Sequence, residues 1–285
     1  MTGGGRVWLV DKPVGPTSHD IVAAIRRQLP RKTKVGHAGT LDPFASGLLL
    51  ILGGGSTRLA RYLIGLDKTY EARVRLGARS TTGDPEGTVE PTGRVARADR
   101  LDAVIQSLTG AQRQRVHAFS AVQIDGERLY AIARRGDTMP DLPAREIVVH
   151  SLEVTDQSPE LDWLDIRVHC SSGTYIRTLA EDIGDGLGCG GYCERLRRTA
   201  VGIHRVETAL TPDAVDDTNG VPPAAALTHL AARVLNPQHV VDIRHGRAIP
   251  TAVGDLTPLV LLDGSALVGI GAVDGELVRP EVVLP

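Results

Sequence analysis

The stretch VGHAGTLDPFASGLLLIL, residues 35–52, decides how the rest of the chain is read. Its glycines and Pro43 forbid a regular helix through GHAGTLDP and favour a tight loop that carries Asp42. The uncharged run Leu48 to Leu52 follows and reads as a buried segment, far shorter than the roughly 20 residues that span a bilayer. Gly53-Gly54-Gly55-Ser56-Thr57 then lacks both the Lys of a P-loop and the spacing of a dinucleotide fingerprint, so it reads as a turn before another helix.

Working outward, Val7 to Val10 is a short apolar strand, followed by the turn-prone KPVGP at residues 12–16. Thr17 or Ser18 is placed to cap a helix, and Ile21, Val22, Ile25 and Leu29 recur at helical spacing before Pro30. Tyr70, Ala72, Val74 and Leu76 alternate with Glu71, Arg73 and Arg75, which predicts a half-buried strand. A second alternating strand carries Leu164, Ile166, Val168 and Cys170, breaks at SSG, and leads into a helix with Ile176, Leu179, Ala180 and Ile183 on one side. Residues 118–145, rich in polar residues, Gly and Pro, read as an exposed excursion of the kind that grips a ligand. Strands and helices do not alternate regularly enough for a doubly wound sheet, so the fold class is a mixed α+β domain. From about His239 the texture changes, and Asp263-Gly264 and Asp274-Gly275 predict hairpins of a small C-terminal β domain. The expected division is a catalytic domain over 1–225, containing the 118–145 insertion, and a β domain over 239–285.

Charge adds an asymmetry. The formal net charge of −2 is unlike a nucleic-acid binder. Residues 1–80 nevertheless carry 13 Lys/Arg against 5 Asp/Glu, a net of +8, which leaves 32 − 13 = 19 against 34 − 5 = 29, a net of −10, for the remainder. The N-terminal part is therefore able to present a basic face. Three cysteines, Cys170, Cys189 and Cys193, are too few for a disulfide framework and fit a reducing compartment as free structural thiols. The nine histidines show no zinc-type spacing. The chain shows no secretory leader, so a cytoplasmic protein is expected.

Asp42 is the residue with most to offer chemically. An Asx turn or loop cap is the ordinary role of an Asp-Pro pair. A nucleophilic or basic carboxylate is the alternative, and it needs a cation to stay ionised once substrate excludes water. Arg177, just past a strand-to-helix break, is the best candidate for that cation. Tyr70 and Tyr175 stand out in a chain with only 3% aromatic residues; they either fill core volume or stack on an unpaired base. His37 and Leu196 have bland roles open to them, a loop hydrogen bond and core packing. Arg195, Arg197, Arg198 and Arg205 form either a solvated face or a phosphate-contact patch.

Taken together, VDKPVGPTSHDIV, KVGHAGTLDPFASGLL, KTYEARVRLG and SSGTYIRTLAEDIG resemble the TruB-type tRNA pseudouridine synthases, in the family's order and over residues 7 to about 205. The resemblance implies that Asp42 is the catalytic carboxylate and Arg177 its partner. It implies that Tyr175 lines the pocket, Tyr70 stacks on the target uracil, Leu196 closes the uracil site and His37 supports the flipped-out loop. Lys12 matches a basic residue near the cleft. It also implies the pseudouridine synthase sheet domain with an RNA-gripping insertion and a PUA-like C-terminal domain. The partner implied is the T-arm stem-loop of tRNA, bound by a monomer with no obligate protein partner, membrane, cofactor or metal. Two rival readings are a non-catalytic RNA-folding module and a glycosidic hydrolase, the latter disfavoured because no second carboxylate stands out.

Overall fold

The computed structural model describes residues 5–117, 123–124, 127–128, 143–252, 254 and 256–284. The chain forms two compact units, one made of residues 1–43, 47–66 and 200–285 and the other of 44–46 and 67–199.

In the first unit, strand β1 (Arg6–Lys12) leads to helix α1 (Ser18–Gln28), then to β2 (Val35–Ala38) and β3 (Ser46–Gly53), whose first residue belongs to the second unit. Of the two candidate caps, Thr17 takes the role: its hydroxyl accepts the Asp20 N–H, and the Asp20 carboxylate accepts the Thr17 N–H in return. The run Leu48 to Leu52 is a strand paired antiparallel with both β1 and β2, and it is fully buried, with Leu48, Leu50 and Leu52 in a core that includes Leu59 and Leu63. Strands flanked and covered on both faces read as continuous apolar runs, without alternation.

The same unit contains a five-stranded sheet formed by β9 (Ala231–Val234), β10 (Ile249–Pro250), β11 (Leu259–Asp263), β12 (Ala266–Asp274) and β13 (Leu277–Val283), in the order β9-β11-β12-β13-β10. The two expected Asp-Gly hairpins are present, with Gly264 and Gly275 at φ +59° and +58°, a backbone conformation that costs glycine little. Val260, Ile270 and Val282 of this sheet share one core with Val7, Leu48 and Leu50. Helix α3 (Pro237–Arg244) packs Val240 and Ile243 into a second core with Leu261 and Val278.

The second unit is built on β4 (Lys68–Leu76), β5 (Gly110–Arg115), β6 (Ala144–Gln157), β7 (Trp163–Cys170) and β8 (Gly191–Val201), ordered β8-β4-β7-β6-β5. The final two residues of β8 belong to the first unit. Alternation holds on β4 and β7, where Tyr70, Ala72, Val74 and Leu76 are buried, as are Leu164, Ile166, Val168 and Cys170. Helix α2 (Ile176–Gly186) covers that buried face. Its approach explains Gly191 of LGCGGYC: a Cβ there would lie 2.9 Å from the Ala180 carbonyl oxygen, and one on Gly184 would lie 2.2 Å from the Gly191 nitrogen, so helix and strand backbones nearly touch. Cys189 and Cys193 are buried thiols, not joined in a disulfide. Of the 118–145 excursion, only the paired segments Gln123–Ile124 and Glu127–Arg128 and residues 143–145 are described, so most of it lies outside the described residues. No helix among the described residues is long and apolar enough to cross a membrane.

Candidate active site

The Asp42 loop is held from both sides. Because Thr17 caps α1, Ser18 is left to bridge Leu41: its Oγ donates to the Leu41 carbonyl at 3.0 Å and accepts the Leu41 N–H at 2.9 Å. On the other side the Pro43 carbonyl accepts the Gly15 N–H at 2.8 Å and Lys12 Nζ at 3.3 Å. Lys12, fully buried, also donates to the carbonyls of Pro13 and Pro16, both at 2.8 Å. Three carbonyls thus accept from one desolvated ammonium, and this cation gathers the KPVGP turn against the residue after Asp42. Asp42 itself is half-buried. His37, also half-buried, sits on β2 opposite Ile51.

Tyr175, Arg177, Tyr70 and Leu196 belong to the second unit. Tyr175 occupies the N-cap position of α2, and the Gln114 amide grips its backbone, accepting the Tyr175 N–H at 2.8 Å and donating to the Tyr175 carbonyl at 3.0 Å. The Arg145 guanidinium lies 5.3 Å from the centre of its ring. Arg177, the second residue of the helix and 4% exposed, donates from Nη1 to Asp84 Oδ2 at 2.9 Å and to the Thr82 carbonyl at 3.0 Å. The second oxygen of Asp84 accepts the Thr82 hydroxyl at 2.5 Å and the Glu86 N–H at 3.0 Å. Tyr70 on β4 and Leu196 on β8 are both buried.

Three buried polar groups escaped the sequence reading. Asp84 lies in TTGDPEG, an ordinary turn sequence, and its pairing spans 93 residues, so no local signal existed. Lys68 has one, since strand alternation sets it on the Tyr70 face. Its Nζ donates to Ser172 Oγ at 2.9 Å, and burial, followed by the nearby Arg198 charge, pushes its pKa down to about 8. Arg198, taken as part of a solvated or phosphate-contacting cluster, is 2% exposed, because it shares the inward side of β8 with Leu196. Lys68 and Arg198 are thus two buried cations close enough for the charge of one to act on the other, while Arg177 is paired with Asp84.

A family model described as TruB family pseudouridylate synthase, N-terminal domain, matches residues 26–176. A second, described as tRNA pseudouridylate synthase B C-terminal domain, matches 177–237. The chain is 40% identical to the tRNA pseudouridine synthase B of Synechococcus sp. (strain CC9311), over 96% of each protein. It is 42% identical to the protein of that name from Leifsonia xyli subsp. xyli (strain CTCB07), over 100% of this chain and 98% of the relative. Among solved structures it is similar to a chain in an H/ACA RNP bound to a substrate RNA containing 2′-deoxyuridine, with a TM-score of 0.72 and 25% identity over 99% of this chain and 86% of that one. Motifs, fold and relatives agree, and the chain belongs to the TruB family of pseudouridylate synthases.

Proposed function

We infer that the protein isomerises uridine 55 of tRNA to pseudouridine, recognising the T-arm stem-loop. The observation that carries this reading is the double clamp on Leu41 and Pro43, which fixes the backbone on both sides of Asp42. A carboxylate that must meet a sugar and a base in one orientation benefits from such preorganisation.

Asp42 is the essential carboxylate in this reading, and Arg177 is the guanidinium that favours its anionic form. Tyr70 stacks on the extruded uracil, Tyr175 and Leu196 line its pocket, and His37 supports the displaced loop. Lys12 acts by holding the loop that bears Asp42. Extrusion costs a few kcal/mol, offset by stacking on an aromatic face. Moving the glycosidic bond from a ring nitrogen to a ring carbon consumes nothing, so the reaction balances without a cofactor. The 118–145 segment is assigned to gripping RNA and residues 239–285 to a PUA-type RNA-binding role, beside a catalytic domain over 1–225. The enzyme acts as a cytoplasmic monomer without an obligate protein partner; three buried cysteines held as thiols suit a reducing compartment.

Release of tritium from C5-labelled uridine in a T-loop minihelix tests this. The wild type is expected to release it, Asp42→Asn to release none while retaining RNA affinity, and a minihelix with cytidine at the target to be inert. Wild-type turnover by Asp42→Asn would refute the assignment.

A further inference from the structure

The outward face of β4, β7 and β6 points away from Tyr70 and α2, and most of it is neutralised across strands. Arg73 pairs with Asp165 at 2.6 Å, and Arg167 lies 3.8 Å from Glu71 and 3.7 Å from Glu153. At the end of this face the pattern breaks. Asp67, His150 and His169 place their donor atoms within 4.8 Å of one another, with no Lys or Arg among them. His150 Nε2 is 3.2 Å from Asp67 Oδ2, and the two imidazole centroids are 4.8 Å apart at a 41° tilt.

A β-bulge makes this possible. Val149 pairs with Cys170 and Ser151 with His169, so His150 is the extra residue between them. A bulge re-aims the side chain it carries, here towards the segment entering β4. His169 comes from β7, opposite Thr69 of β4. Three segments far apart in sequence therefore converge, which is why the spacing of histidines along the chain gave no sign of it.

We propose that Asp67, His150 and His169 form a binding site for a zinc-class divalent cation. Two imidazole nitrogens and one carboxylate oxygen are a borderline donor set that suits Zn2+ better than Mg2+ or Ca2+, which prefer oxygen ligands. In a tetrahedron with bonds of about 2.0–2.1 Å the ligand atoms stand about 3.3 Å apart. The His150–Asp67 edge already has that length. The donor atom of His169 lies within 4.8 Å of the other two and would close in as the third ligand, with solvent in the fourth position. The ion would tie the β6 bulge to the end of β7 and the start of β4. Ser171, two residues beyond His169, joins the same junction through its Oγ, which accepts the Val148 N–H at 2.9 Å.

The test uses the full-length untagged protein, stripped with a chelator and titrated with ZnCl2 by calorimetry. One equivalent is expected to bind the wild type and the control His19→Ala, in which an exposed histidine outside the trio is removed. His150→Ala and His169→Ala are each expected to weaken binding at least about tenfold. Zn2+ should raise the melting temperature of the wild type but not of these variants. Co2+ gives a readout that needs no substitution: a four-coordinate ligand-field spectrum without a thiolate charge-transfer band supports the site. A thiolate band, unchanged affinity in both trio variants, or no Zn2+ uptake by the wild type would overturn it.

Discussion

Arg177 Nη1 stands 2.9 Å from Asp84 Oδ2, with the two side chains 5% and 3% exposed. Desolvating both charges costs much of what their attraction returns, so such a pair is a poor source of stability. It is a good source of orientation. The Thr82 carbonyl and the Asp84 carboxylate hold one guanidinium nitrogen from two directions, and Thr82 and Glu86 in turn fix Asp84.

Removing Asp84 takes a carboxylate away from a buried guanidinium. Asp84→Ala is therefore expected to cost about 3–5 kcal/mol in urea denaturation. The double variant Asp84→Leu, Arg177→Met is expected to recover most of that stability and to remain inactive in tritium release. Additive losses of stability in the double variant would contradict the pairing.

Ser18 is a positioning residue. Ser18→Ala deletes both hydrogen bonds to Leu41 and leaves buried backbone groups without that partner, at a cost of about 1–3 kcal/mol. Turnover on the minihelix is expected to fall while KM changes little, since the carboxylate loses its fixed direction and RNA contacts stay in place. Ser18→Thr should restore part of the rate, and a purely structural role would leave kcat of the folded fraction unchanged.

Lys68 is held below its ordinary pKa of 10.5, at about 8, chiefly by burial. The folded state thus loses the proton before the unfolded chain does. The cost of burying the charge is fully present below about pH 8 and is relieved as pH rises towards 10.5. Relative to Lys68→Met, the wild type is expected to gain stability across that window in denaturant titrations, and the Nζ resonance should titrate near 8. A titration near 10.5 would show the ammonium to be solvated.

Asp182 has the opposite sign. Burial first, and then Glu181 and Asp185, raise its pKa from 3.8 to about 6, near the C-terminal, negative end of α2. The folded state holds the proton more tightly, so stability is lost as pH rises from about 4 to 6. Asp182→Asn is expected to stabilise the protein at pH 7 by about 1–2 kcal/mol after allowance for solvent screening. Thermal melts should show that gain vanish below about pH 4.

The sequence by itself determined whatever depends on neighbours along the chain. Alternation set the inward faces of β4 and β7, helical spacing set α1 and α2, and Asp-Gly pairs set the C-terminal hairpins, because side-chain direction repeats with the backbone. The motifs around Asp42 and Arg177 carried the family. Tertiary structure alone decided what joins distant segments. It chose Thr17 over Ser18 as the cap and so released Ser18 to Leu41. It buried Lys12 beneath Pro43, paired Arg177 with Asp84 and gathered Asp67, His150 and His169 around a bulge. The partners of Ser18, Lys12 and Arg177 are buried polar contacts across the fold; these, like the Asp67, His150 and His169 group, are set by strand register and packing, which the order of residues does not display.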